Sequence, residues 1–99
     1  MTAHEIYYVE DFKIIGPYTL QIMFDDQTVQ CINFEPILRG ELLGPLRDLT
    51  IFNEVRLEPE VRNLVWPNDA ALDPETLHNW PIYKDEFTKM AQSWERVPA

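Results

Sequence analysis

The chain has 99 residues, enough for one domain with one core, and 45% of them are hydrophobic, which supplies the material to fill it. Eight basic residues against seventeen acidic ones leave a net charge of -9, which opposes binding to nucleic-acid phosphates, because that affinity rests on Lys and Arg displacing condensed counterions. The single cysteine excludes an internal disulfide, and the opening Met-Thr-Ala-His-Glu has neither a basic n-region nor a long apolar run, so the expected setting is a reducing cytoplasm with no membrane association.

Residues 5–15, EIYYVEDFKII, are rich in β-branched and aromatic side chains and read as a strand with a break near Glu10 and Asp11. Gly16 and Pro17 supply a turn. Tyr18, Leu20, Ile22 and Phe24 then alternate with polar or smaller neighbours, the period of a strand with one packed face. Asp25, Asp26 and Gln27 separate it from a second strand over 28–34, giving an antiparallel hairpin in which Met23 and Ile32 are expected as neighbours. Glu35 and Pro36 stop that strand, residues 37–40 read as one helical turn ended by glycine, and 41–45 as loop. Asp48 is an N-cap for a short helix over 49–53 that turns Ile51 and Phe52 inward. A strand over 55–57 reverses at Glu58, Pro59 and Glu60 and pairs with 62–66.

The stretch from Val61 to Leu77, VRNLVWPNDAALDPETL, is the densest signal. Val61, Leu64, Val65 and Trp66 have strand character, and Pro67 ends the strand because it has no amide hydrogen for the ladder. Asp73 places an acceptor at an N-cap, Pro74 a pre-set φ at the first helical position, and Glu75 negative charge against the helix dipole. Only Asn68 and Asp69 carry no structural requirement beyond the turn itself. Trp80 and Pro81 read as the exit of this helix, and a second helix follows in which Tyr83, Phe87, Met90 and Trp94 fall at i, i+4, i+7 and i+11.

The W-P-N tripeptide at Trp66, followed by small and acidic residues and then L-x-P-E-x-L from Leu72, resembles the hallmark of domain of unknown function 2442. YTLQIMFDD from Tyr18, FEPIL from Phe34, PLRD from Pro45 and Ile51-Phe52 are similar to its earlier sections, so the likeness covers roughly residues 6–77. Asp69 stands where that family leads us to expect Gly, and Ala71 where it leads us to expect Asp. The resemblance implies a bacterial gene often found beside another small uncharacterised protein, an arrangement reminiscent of toxin and antitoxin pairs. It also implies longer relatives with an added helix-turn-helix segment, for which the residues after Trp80 leave too little room here.

Groups that carry chemistry are sparse. Cys31 falls inside a strand, where a cysteine is expected as small apolar packing, and Ser93 has no motif around it. Glu75 and His78 stand at i, i+3, but one pair is not a metal site, and a histidine near a helix C-terminus serves the macrodipole. The glycines at 16, 40 and 44 make no phosphate-cradling pattern, and Tyr7, Tyr8, Phe12 and Tyr18 lack the basic groove of a stacking platform for single strands. No catalytic, cofactor-binding or metal-ligating residue is assigned.

The expected fold is α+β: a mainly antiparallel sheet of four or five strands, with short helices packed on it and a C-terminal amphipathic helix. Residues 1–80 form the domain and 81–99 an extension that packs on it or on a partner subunit. The expected function is that of a small non-enzymatic protein-interaction module, one half of a toxin-antitoxin-like pair in the picture the resemblance implies. Its partner is another protein, of basic character given the acidic hairpin, or a second copy docked through the C-terminal helix. Candidate interaction residues are Trp66, Asn68, Asp69 and Asp73 in the turn and Tyr83, Phe87, Met90 and Trp94 on the stripe. The alternatives are an accessory domain of a transcription regulator without its own DNA-binding segment, and a small-ligand binder using the 66–73 turn.

Overall fold

The alternating stretch becomes the middle strand of a three-stranded antiparallel sheet in a computed structural model that describes residues 7–94. The sheet runs β1 (Val9–Gly16), β2 (Thr19–Phe24), β3 (Val29–Asn33) in that order, and Leu20, Ile22 and Phe24 of β2 are buried, as the period-two pattern requires. The expected break at Glu10 is a register shift: Val9 lies opposite Phe24 but Asp11 opposite Met23, so one extra residue is accommodated in β1. The hairpin register differs from expectation at one pair. Ile32 faces Leu20 and Met23 faces Val29, which puts Met23 on the outer face and Ile32 in the core. The tight turn closed by the Gln27 amide on the Phe24 carbonyl sets that register, and side chains of opposite parity then take opposite faces.

After β3 the chain stays helical for longer than its composition indicates. A 3-10 turn over Glu35–Ile37 leads to α1 (Gly40–Leu43), a second 3-10 turn over Gly44–Arg47, and α2 (Leu49–Phe52). The 41–45 loop is therefore a correction, and Gly40 begins a helix rather than ending one. Leu43 and Leu46 supply the buried i, i+3 pair that holds this segment down. Pro36 and Pro45 are the second residues of their turns, where a missing amide hydrogen leaves no intrahelical bond unmade. The Asp48 cap forms as read: its carboxylate accepts from the Thr50 amide at 2.9 Å.

β4 (Arg56–Glu58) and β5 (Asn63–Val65) pair antiparallel but form a separate two-stranded sheet, so the architecture is three strands plus two rather than four or five in one. The Val9 amide reaches the Arg62 carbonyl at 2.9 Å, and the bulge at Glu10 interrupts β1 next to that bond, where a continued ladder would have to run. Val61 lies exposed in the intervening turn rather than in a strand. α3 (Pro74–His78) begins at Pro74 behind its Asp73 cap. Trp80 starts α4 (Trp80–Trp94) instead of closing α3; Asn79 is the α3 C-cap, and Pro81 occupies the first turn of α4.

The two sheets and α4 meet on a cluster of rings. Phe34 lies 5.9 Å from Phe52, 5.7 Å from Trp66 and 6.4 Å from Trp80, measured between ring centroids. The Trp66 indole N–H donates to the Phe52 carbonyl at 3.0 Å, which satisfies its one polar atom inside the core. Among the described residues no helix is long and apolar enough to cross a membrane.

Candidate functional site

The 66–73 turn is closed by its own backbone. The Trp66 amide donates to the Ala70 carbonyl at 3.0 Å, the Asp69 amide donates to the Trp66 carbonyl at 2.9 Å, and Val65 bridges Ala71. Asp69 has φ +67, in the left-handed region that favours glycine, which explains why Gly is the residue expected there and why Asp, with its short polar side chain, is tolerated. Asn68 donates from Nδ2 to the Leu42 carbonyl of α1 at 2.9 Å and accepts from the Ala70 amide at 3.2 Å. Asn68 thus has a structural task, contrary to the reading of the sequence: it ties the turn to α1. Trp66 is 1% exposed and points into the core, so it anchors the turn and presents no ring to a partner. Asp73 is spent on the cap of α3, accepting from the Glu75 amide at 3.4 Å.

On α4 the stripe is divided. Tyr83 donates its hydroxyl to Glu75 Oε2 at 2.9 Å, and that bond to a carboxylate raises the phenol above its ordinary pKa. Phe87 is half-buried between Trp80, 5.9 Å away, and Trp94, 5.8 Å away and edge-on. Met90 and Trp94 remain 46% and 39% exposed.

The turn and the stripe converge on one groove of about 620 Å³. Its first wall is Arg39 with α1, its second Ala71 and Leu72, and its third Phe87 and Trp94 of α4. Gly40 makes this closure attainable. It has φ +83, which favours glycine, and a Cβ there would lie 3.2 Å from Cβ of Trp94, so a larger residue would strain the backbone and push the end of α4 outward by a few tenths of an ångström. Leu42 stands on the lip at 52% exposure. A neighbouring hollow of about 260 Å³, lined by Thr76, Tyr83, Glu86, Phe87 and Met90, shares Phe87 with it. Of the residues selected from sequence, Phe87 and Trp94 line the groove and Tyr83 and Met90 the adjoining hollow, while Asn68 reaches from the turn to hold α1, and Trp66, Asp69 and Asp73 line neither. Gly40, Leu42 and Leu43 were missed; a glycine followed closely by two leucines was the available signal.

A second cluster joins the tip of the β2–β3 hairpin to α3. His78 Nε2 lies 2.7 Å from Asp26 Oδ2 and Nδ1 lies 2.9 Å from Asn79 Oδ1, while the ring stacks on Tyr7 at 3.8 Å and meets Phe24 edge-on at 5.0 Å. Gln30 donates to the His78 carbonyl at 2.7 Å. The Thr28 backbone amide, with a smaller contribution from His78, holds the Asp26 carboxyl below the usual carboxylate range. Both ring nitrogens are engaged and His78 is turned to Asp26, so the Glu75 and His78 spacing does not become a ligand pair. Among the described residues no three His, Cys, Asp or Glu side chains gather to hold a metal. Cys31 is exposed on the outer face of β3 beside Gln21, which corrects the expectation of apolar packing.

No curated protein and no solved structure matches the chain. A family model described as protein of unknown function (DUF2442) matches residues 9–83, from β1 into the first turn of α4, the range that holds the W-P-N turn and the L-x-P-E-x-L helix start. The match spans well over half of the chain, which therefore belongs to the DUF2442 family of proteins of unknown function.

Proposed function

We propose that the chain is a small non-enzymatic interaction module that receives a partner protein in the groove between α1, the 71–72 segment and α4. The observation that carries this reading is the exposure of Leu42 and Trp94 in the same groove as Leu43, Leu72 and Phe87, which pack into or against the core. A contiguous apolar surface at the mouth of a groove is costly to leave in water and marks an interaction site more often than scattered single residues do. The polar side chains in the groove are Arg39 and Glu41, with no nucleophile and base placed together, which favours binding over catalysis.

The test is affinity purification of the tagged chain from its native host, beside a Leu42→Glu variant, which alters the lip and spares the core. One stoichiometric partner recovered by the parent chain and lost by the variant is the expected result. A partner retained by both, or none recovered at low salt, refutes the assignment of the groove. The product of an adjacent gene is the first candidate to co-express, given the gene pairing that the family resemblance implies.

A second reading is favoured by size alone: the volume lies within the range of small-molecule sites, about 300 to 1,000 Å³. In that case apolar metabolites raise the melting temperature of the parent chain and leave that of a groove variant unchanged.

A further inference from the structure

We infer that the open edge of β1, between its two register shifts, takes an added strand from a partner: an extended segment, apolar at alternate positions, with an acid where it passes Lys13 and a base where it passes Asp11. This contact is separate from the groove and goes beyond the interaction-module reading.

Backbone parity identifies the open groups. The Asp25 amide donates to the Tyr8 carbonyl at 3.0 Å and the Phe24 amide to the Thr28 carbonyl at 2.9 Å, so odd-numbered residues of β2 face β1 and even-numbered ones face β3. Asp11 and Lys13, opposite Met23 and Gln21, therefore bond to β2, whereas Phe12 and Ile14, opposite Ile22 and Leu20, turn their amides and carbonyls outward. The Phe12 amide agrees: it makes no ladder bond and donates to the neighbouring Asp11 carboxylate at 2.8 Å. Among the described residues no group outside the sheet bonds the Phe12 carbonyl or either backbone group of Ile14. Towards the start of β1 the edge is closed, where the Val9 amide meets the Arg62 carbonyl, and α3 shelters the far side of the sheet, its His78 carbonyl taking the Gln30 side chain. What stays open is the short stretch Asp11 to Ile14. Unpaired amides and carbonyls in a row are a template for an extended backbone, not for a helix.

Side chains then select the sequence of the added strand. Phe12 and Ile14 lie on the packed face, yet Ile14 remains 42% exposed at the rim of the core, so an apolar neighbour across the edge would shield it. Asp11 and Lys13 are exposed on the outer face two residues apart, and a strand with a base and an acid at that spacing meets both with opposite charge. In the antiparallel sense, the more stable per residue, the segment runs apolar, acid, apolar, base from its N-terminus, opposite Ile14, Lys13, Phe12 and Asp11. Its carbonyl replaces the Asp11 carboxylate at the Phe12 amide, and the freed carboxylate meets the base. A second copy fits less well. The antiparallel self-pairing that engages every open group matches Phe12 with Ile14 and sets Lys13 directly against its counterpart, like charge on like.

The experiment titrates the isotope-labelled full chain with a peptide carrying valine, glutamate, valine and lysine in that order, and with a second in which the two charges are exchanged. Amide NMR signals over 11–14 should shift with the first peptide and exchange of the Ile14 amide should slow, while the second peptide binds about fivefold more weakly or worse. Ile14→Pro deletes an amide that bonds to nothing in the free chain, so the fold should survive and the first peptide should weaken by about tenfold or more. Ile14→Thr keeps that amide and should bind within about threefold of the parent. Asp11→Lys with Lys13→Glu should reverse the choice between the peptides, a readout that stands even if Ile14→Pro fails to fold. Binding unchanged by Ile14→Pro in a folded chain, equal affinity for the two peptides, or no shift over 11–14 overturns the inference. So does peptide binding abolished by Leu42→Ser, which places the peptide in the groove, or a dimer dissolved by Ile14→Pro, which makes a second copy the occupant.

Discussion

Replacing Asn68 tests whether the W-P-N turn is a scaffold or a recognition loop. Asn68→Ala removes the donation to the Leu42 carbonyl and the acceptance from the Ala70 amide. Both bonds are near solvent, where a net contribution of about 0.5 to 1 kcal/mol each is reasonable, so the loss is about 1 to 2 kcal/mol. In a domain of this length each kcal/mol moves the melting temperature by about 4 to 8 °C, which places the expected drop at about 4 to 16 °C. Asn68→Asp sharpens the test. Its oxygen can still accept from Ala70, but the atom facing the Leu42 carbonyl becomes a second acceptor, so this variant is also destabilised, by about 1 kcal/mol or more. Thermal and urea unfolding followed by circular dichroism read both. If Asn68→Ala melts within about 1 °C of the parent chain while partner binding falls, the side chain serves recognition and the structural assignment is wrong.

Other consequences can be checked on the same samples. Asp69→Gly relieves the left-handed residue and should raise stability by a few tenths to about 1 kcal/mol, whereas Asp69→Val should lower it by about 1 kcal/mol or more; equal melting for the two rules out strain at φ +67. Gly40→Ala meets both the positive φ and the Cβ of Trp94, so a loss of about 1 to 2 kcal/mol and a shift in tryptophan emission are expected, and a neutral result shows that the contact gives way. The Asp26 carboxyl titrates lower in the folded chain than in the unfolded one, so its ionic contribution is fully present above the unfolded pKa of about 3.9 and is lost as pH falls through the folded value. The stability difference between the parent chain and Asp26→Asn should accordingly shrink as pH falls below about 4; a difference that stays constant down to about pH 2 contradicts this. Cys31, exposed on β3, should react with a thiol reagent in the native chain without prior unfolding, and protection until denaturant is added would place it inside.

Local signals in the sequence proved dependable where one residue does one job. The β2 alternation and the Asp48 and Asp73 caps each follow from a rule of spacing or capping that needs no tertiary partner. The misreadings share a cause of the opposite kind. Residues 41–45 are helical because Leu43 and Leu46 have a core to enter, and five residues of composition could not reveal it. Trp80 looks like an exit because a proline follows it, yet proline is equally at home in the first turn of the next helix. That β4 and β5 form a sheet of their own is a matter of which strands meet across the fold, which no pattern within either strand encodes. The same holds for the groove: the Tyr83 to Trp94 stripe could be read, but its opposite wall at Gly40 to Leu43 is forty residues and more away and unremarkable by itself. Asn68 was misjudged for this reason, since its partner is a carbonyl on that distant wall.

The ring cluster around Phe34 has a consequence for how the chain comes apart. Phe34 follows β3, Phe52 ends α2, Trp66 follows β5 and Trp80 opens α4, so each structural unit contributes one ring to a shared centre. A hairpin of two three-residue strands is not durable in water without packing, and here its packing is supplied by Trp66 against rings from the other units. The shared rings are therefore expected to make the loss of the two sheets one cooperative transition, seen as coincident unfolding curves from circular dichroism and tryptophan emission.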